Sequence, residues 1–311
     1  MQDNNPNTLE SKRQKIRKIK LIKKALFLSS FIIFLLAFAV SFFGLSAAII
    51  TPFMFLISFF MLAGGTVYHF CTYKKIKEFE NEYKLSIMKP VFDKFITDCE
   101  FYPNMGIGRE YIANLNAIRM GKIYRSEDYV EGVYNDVKFC RADILIQDIT
   151  HDSDRNSHTV TYFRGQWMVF EFNKSFKKNI QIYDKFFKYA NKGKNFFGGA
   201  DKREKISFEN NLFNNKFKVY ANSQQEAFYI ITPQIMESIL NLHNNIKGAL
   251  MLFFDDNKRN IAINNGKNSL EPSYKKDTSV ATNISIKEAQ CELEKIIEFI
   301  EQLKLNNDLY K

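Results

Sequence analysis

From Ala25 to Tyr73 the chain runs for 49 residues without a single Asp, Glu, Lys or Arg. A helix crosses the hydrocarbon core of a bilayer in about 20 apolar residues, so the run is long enough for two crossings and a turn. Gly44, Ser46, Thr51 and Pro52 form its weakest spanning stretch and divide it into predicted spans at 25–43 and 53–70. Gly64-Gly65 in the second span allows close packing against the first, as small residues do in lipid. A cleaved signal peptide is the rival reading, with a small-residue site near Leu45-Ser46-Ala47. The long basic start and the second apolar segment that follows at once argue against it.

The charge of the chain is concentrated ahead of this run. Lys12, Arg13, Lys15, Arg17, Lys18, Lys20, Lys23 and Lys24 face only Asp3 and Glu10, so six of the ten net positive charges lie in residues 1–24. Lys74, Lys75 and Lys77 follow the second span, and the turn between the spans carries no charge. Basic flanks stay on the cytoplasmic side, which predicts a multi-pass membrane protein with both termini in the cytoplasm. Lys12 to Lys24, with Lys74 and Lys75, are also placed to meet anionic lipid headgroups. What remains of the charge is ordinary for a domain of this size and calls for no nucleic-acid partner. The four cysteines show no close pairing and no CxxC, as in a reducing compartment.

Beyond the spans the apolar pattern predicts stalk helices over 74–100, with Pro90 interrupting them, and then a cytoplasmic domain over 101–311. KFCRADILIQDIT, TVTYF, QWMVFEF, KNIQIYD, ALMLFF and NIAIN are strand-like. Hairpin turns are expected at Arg164-Gly165 and at Asp255-Asp256-Asn257. Helix starts are signalled by Ser223 with Glu226, by Thr232-Pro233, and by Ser285 with Glu288. Ala289, Leu293, Ile296, Ile297, Ile300 and Leu303 then share one apolar helical face. These elements predict an α+β fold: a two-helix transmembrane hairpin followed by a mostly antiparallel sheet with packed helices.

The strings SEDYVEGVY, YFRGQWMVFEFNKSF and FKVYANSQQEAFYIITPQIMESI resemble those of a bacterial family of two-span membrane proteins, domain of unknown function 3137. The resemblance extends over roughly residues 70 to 270 and is sharpest from Val219 to Glu237. It implies the hairpin architecture and company with LemA-type membrane proteins. It carries no catalytic residues.

Candidate chemistry is sparse. His151, Asp152, Asp154 and His158 are the one cluster of metal-type ligands, in a polar segment between two strands where a solvated loop is the simpler reading. Asp255 and Asp256 are better turn residues than a catalytic pair. NKGKNFFGGADKREK lacks the Lys-Ser/Thr ending of a phosphate-binding loop. His243 is expected at a helix C-terminus, complementing its dipole, and His69 at the lipid boundary. Between Lys174 and Phe197 seven lysines alternate with seven aromatics, a pattern shared by a core strand with a solvated edge and by a surface that meets anionic lipid. No cofactor motif is present. Two functions fit: a non-enzymatic interaction or ligand-binding module at the cytoplasmic face, or a membrane-tethered hydrolase using the 151–158 loop.

Overall fold

The computed structural model describes residues 6–42, 50–151, 156–191, 203–268, 270–272, 274, 286–287, 289–291 and 293–302. They fall into two compact units, Met1–Ser86 with Pro272–Ala281, and Ile87–Glu271 with Thr282–Lys311.

The first unit is a helical hairpin. Helix α1 (Pro6–Phe42) joins the basic run and the first apolar segment without a break, and α2 (Ile50–Tyr83) carries the second. Both are long and apolar enough to cross a membrane. At 1.5 Å per residue the 37 residues of α1 reach about 55 Å, well beyond a hydrocarbon core of about 30 Å. The helices are pinned by a reciprocal exchange. Ser30 Oγ donates to the Ser58 carbonyl at 2.9 Å, and Ser58 Oγ to the Ser30 carbonyl at 3.0 Å. If the hairpin lay in a bilayer, such bonds would add only about 0.6 kcal/mol each while fixing register. Gly65 is buried against Leu26 and Phe27, whereas Gly64 faces open space. Phe31, Phe59, Phe60 and Phe70 point outward, as lipid-facing rings do. Beyond the apolar stretch the helices are joined by charge: Lys12 to Glu82 at 2.6 Å and Lys20 to Glu80 at 3.0 Å. Tyr274 covers the latter pair, its hydroxyl on Glu80 and its ring 3.6 Å from the Lys20 ammonium.

After α2 the helix widens over Lys84–Met88, immediately before Pro90. Proline lacks an N–H and crowds the carbonyl four residues back, and the wider turn accommodates both. Helix α3 (Lys89–Phe92) follows.

The second unit is built on a seven-stranded antiparallel sheet. Its strands are β1 (Thr97–Tyr102), β2 (Ile123–Tyr134), β3 (Val137–His151), β4 (Ser157–Asp184), β5 (Glu204–Ile206), β6 (Phe217–Ala221) and β7 (Ala249–Asn264). The helices are α4 (Arg109–Asn114), α5 (Asn211–Lys216), α6 (Gln224–Ile230) and α7 (Pro233–Asn245), and the described residues of 286–302 are also helical. The α+β class and the antiparallel sheet are thus as the sequence predicts.

The centre is β4, whose 28 residues are far longer than an ordinary strand. One edge pairs β3 along its first half and β6 along its last five residues, while β7 pairs it from Gln166 to Tyr183. Neither predicted hairpin is therefore present. Arg164-Gly165 lies inside β4, and a Cβ on Gly165 would sit 2.0 Å from the Ile263 carbonyl oxygen. Glycine there serves close approach of β7, not a turn. Asp255-Asp256-Asn257 lies inside β7, where Asp256 adopts φ of 48° opposite a register irregularity in β4. The turn-forming chemistry makes a bulge that bends a continuous strand. Two helix starts are as expected: Thr232 Oγ1 accepts from the Ile235 amide, and Ser223 Oγ from the Glu226 amide, each at 3.3 Å. Ser285 and Glu288 lie outside the described residues.

One face of the sheet carries Ala142, Ile144, Trp167, Val169 and Ala262 in a core closed by α4 and the segment Leu115–Ile118. The opposite face holds a buried polar group. Arg141 reaches Asp143 Oδ1 at 2.7 Å and Gln166 Oε1 at 3.4 Å, with the Phe92 ring 5.9 Å from its guanidinium.

Candidate functional site

Cross-strand pairing aligns residues that are distant in sequence. Glu131 lies opposite Cys140, Cys140 opposite Val169, and Val169 opposite Asn260, so one row crosses β2, β3, β4 and β7. Two residues along, on the same face, Lys138 lies opposite Glu171 and Glu171 opposite Lys258. The edge pair β1–β2 adds Tyr102 opposite Tyr129.

The chain then folds over this surface. Between β1 and α4 the backbone is tied down by Asp128 N–H to the Pro103 carbonyl at 3.2 Å and Tyr129 N–H to the Met105 carbonyl at 3.1 Å. These bonds explain why β2 shifts register against β3 at Glu127–Val130: its amides there serve the loop instead of the ladder. Ser126 Oγ accepts from the Ile107 amide at 3.0 Å, and Tyr124 donates to the Ile107 carbonyl at 2.7 Å. A Cβ on Gly106 would fall 2.2 Å from Ser126 Oγ, so only glycine allows the loop to lie this close.

Between loop, α4 and sheet opens a cleft of about 580 Å³, within the range of small-ligand pockets. Its walls are the rings of Tyr102, Tyr111 and Tyr129 and the carbon surfaces of Met105, Ile107 and Val169. Its polar groups are Glu131, Glu171, Lys258 and the Cys140 thiol. Lys258 Nζ is 3.2 Å from Glu171 and 5.1 Å from the centre of the Tyr111 ring. Asn260 holds the floor: its Oδ1 accepts from Tyr111 at 2.9 Å and from Trp167 Nε1 at 3.0 Å, and its Nδ2 donates to the Phe253 carbonyl at 3.3 Å. Burial pushes the Tyr111 and Tyr129 phenols up and keeps them protonated at neutral pH. Burial also pushes the Cys140 thiol up to about 11, partly offset by its contact with Tyr129, so it is no thiolate nucleophile.

The residues singled out by sequence lie elsewhere. His151 is opposite Ser157 and His158 opposite Thr150. Cross-strand partners share a face and neighbours alternate, so the two histidines project from opposite faces of the ribbon. His151 Nδ1 is 3.2 Å from Ser157 Oγ. Asp152 and Asp154 lie outside the described residues, among which no group of three or more metal-type ligands occurs. His243 closes α7 with Nε2 2.5 Å from Oδ2 of the buried Asp184, joining that helix to the end of β4. Asp255 is half-buried, and burial beside Asp256 pushes its carboxyl up. Of the lysine and aromatic segment, Tyr183 and Phe187 are core while Phe186 is 80% exposed. The side chains of 173–178 and residues 192–202 lie outside the described set.

Among the basic flanks, Lys12 and Lys20 are paired with Glu82 and Glu80, Arg13 with Glu10, and Lys23 lies 2.8 Å from His69 Nδ1. Lys74 is 3.9 Å from Glu78, Arg17 is half-buried, and Lys15, Lys18, Lys24 and Lys75 are exposed.

The cleft left only a faint trace in the sequence. Glu100-x-Tyr102 and Tyr129-x-Glu131 are mirror-image spacings that become matched pairs when two strands run antiparallel. Nothing in either stretch alone signals a binding surface.

Comparison with solved structures finds the crystal structure of the mycobacterial trehalose monomycolate transport factor A, TtfA. It aligns over 70% of this chain and 93% of that one at 6% identity, with a TM-score of 0.36, a likeness too distant to carry an argument. No curated protein matches. The family model described as "Protein of unknown function (DUF3137)" matches residues 161–305, from β4 through the C-terminal helix. The matched stretch supplies Val169, Glu171 and Lys258 to the cleft, whereas the tyrosine walls come from the preceding residues. Over residues 161–305, then, this chain is similar to the DUF3137 family.

Proposed function

We propose that the protein is a membrane-anchored binding module. Its second unit takes up a small ligand, or one projecting group of a larger partner, in the cleft between β1–β2, β4, β7 and α4. The observation that carries this reading is the cleft itself: three tyrosine rings and an apolar floor surround a few fixed polar groups, the composition by which ligand sites combine affinity with orientation. The hairpin of α1 and α2 acts as the anchor in a bacterial inner membrane, with both termini cytoplasmic. Its support is the asymmetry of charge, with basic flanks outside both spans and none in the turn. Exposed Lys15, Lys18, Lys24 and Lys75 then lie where anionic headgroups are found. The hydrolase alternative gains nothing from the geometry, since His151 and His158 diverge.

The test is native mass spectrometry of the full chain extracted from its own membranes, beside a Val169→Trp variant that fills the cleft. The wild type is expected to carry a small-molecule adduct that Val169→Trp lacks, with an unchanged circular dichroism spectrum as the folding control. Equal adducts on both proteins, or none on either together with no capture by a photocrosslinker at Met105 in cells, would refute the reading.

A further inference from the structure

The face of β1–β2 that opens into the cleft carries two matched pairs, Glu100 opposite Glu131 and Tyr102 opposite Tyr129. Carboxylates directly across two strands repel each other. Lys258 and Arg141 are engaged with Glu171 and Asp143, and no ion pair among the described residues reaches Glu100 or Glu131. Each carboxylate instead accepts a phenol: Tyr102 donates to Glu100, and Tyr129 to Glu131 Oε2 at 2.9 Å. With their hydroxyls directed to the carboxylates, the two rings stand with centroids 6.4 Å apart and planes inclined by 32°. An aromatic face is the negative part of its quadrupole, so rings and carboxylates together attract positive charge.

The cleft already shows this preference with a group of its own. The Lys258 ammonium lies beside the Tyr111 ring and the Glu171 carboxylate at once. That pair is internally neutral, so the charge of Glu131 in the cleft and of exposed Glu100 at its rim is left uncompensated. The nearby lining is carbon, from Met105 and Ile107, which suits methyl groups better than the ordered water of a hydrated metal ion.

We propose that the cleft binds a small organic cation, an alkylated ammonium whose charge rests against Tyr102 and Tyr129 and is neutralised by Glu131 and Glu100. This inference rests on the reading of the cleft as a ligand site and names the chemical class it selects. A free trimethylammonium solute and a phosphocholine headgroup present the same chemistry.

Isothermal titration calorimetry on the full chain in dodecyl maltoside tests it, with choline against its neutral isostere 3,3-dimethylbutan-1-ol. Choline is expected to bind at least about tenfold more tightly, the difference that a partly desolvated cation on an aromatic face supplies. Glu131→Gln and Tyr129→Leu should each weaken choline about fivefold or more, while Tyr129→Phe, which keeps the ring, retains most of the affinity. Trp167 fluorescence confirms that each variant is folded. Tighter binding of dihexanoylphosphocholine assigns the site to a lipid headgroup, and equal or weaker binding assigns it to a free solute; both support the cation. Equal affinity for choline and the isostere overturns the cation while leaving the ligand site standing. Failure of both to bind also overturns it, and the adduct lost in Val169→Trp then decides separately whether the cleft is a site at all. Displacement of choline by magnesium or calcium, with Tyr129→Leu without effect, overturns it in favour of a metal ion held by the carboxylates.

Discussion

Replacing Asn260 with Leu tests whether the floor of the cleft is organised as described. The amide is 1% exposed and holds three groups at once: Tyr111, Trp167 and the Phe253 carbonyl. Leucine has a similar volume, so the change removes hydrogen bonds without opening a large cavity. Trp167 is fully buried and cannot turn to water, so stranding its Nε1–H costs about 1–3 kcal/mol. Tyr111 is only half-buried and its hydroxyl can find water in the cleft, leaving the loss of one bond, about 1 kcal/mol. The Phe253 carbonyl adds less, and the apolar side chain returns part through burial. The expected loss is about 2–4 kcal/mol, or roughly 10 °C in the unfolding temperature of a unit this size. Thermal unfolding of the full chain in dodecyl maltoside, followed by circular dichroism, measures it. The chain has a single tryptophan, so fluorescence reports the same spot directly. A second substitution makes the test sharper. Trp167→Phe removes the stranded donor, so it should cost about 1–2 kcal/mol less in the Asn260→Leu background than in the wild type. A loss below about 1 kcal/mol for Asn260→Leu, or equal costs of Trp167→Phe in both backgrounds, would refute this account of the floor.

Two further outcomes follow from the cysteines. With the Cys140 thiol moved from 9.0 to about 11, its thiolate fraction at pH 8 falls from about one in ten to about one in a thousand. Iodoacetamide should therefore alkylate Cys140 about a hundredfold more slowly than exposed Cys291, and raising the pH toward 11 should speed it; comparable rates at pH 8 would contradict the burial described. An impermeant maleimide applied to intact cells should leave Cys291 unlabelled until lysis, and labelling before lysis would overturn the proposed topology. Cys291 is the informative residue, since the Cys99 thiol is also pushed up, to about 12, by burial and the nearby Asp93.

What the sequence disclosed and what it hid divide along range. The hairpin was legible because an uncharged run of that length has few other solutions, and α7 because Thr232 and Pro233 satisfy its first turn locally. The continuity of β4 and β7 was not. Gly165 and Asp255-Asp256-Asn257 carry turn-forming chemistry, yet the neighbouring strand decides whether a glycine turns the chain or admits another backbone. The strands before Phe139 were also missed, because the edge strand β1 and its neighbour β2 are irregular, and their register shifts at Asp98–Cys99 and Asp128–Tyr129 break the alternation. The candidate site was least legible of all. Its pairs, Glu100 with Glu131 and Glu171 with Lys258, exist only once the strands are in register. The Ser30–Ser58 exchange was hidden for the same reason, two ordinary serines meeting only when the helices are antiparallel.

The pairing of β4 with β7 sets a timetable for synthesis. Trp167 meets Ala262 and Tyr183 meets Met251, so the second edge of the central strand stays open after β4 itself has left the ribosome. About 80 further residues must be made before Asn264 is available, roughly 4 to 16 s at ordinary elongation rates. During that interval Trp167-Met168-Val169-Phe170, later buried on both faces, is an unpaired apolar edge of the kind that recruits other chains. The nascent protein is most exposed to aggregation in this window, and a ribosome stalled between residues 184 and 264 would leave the helical hairpin followed by a sheet that cannot close.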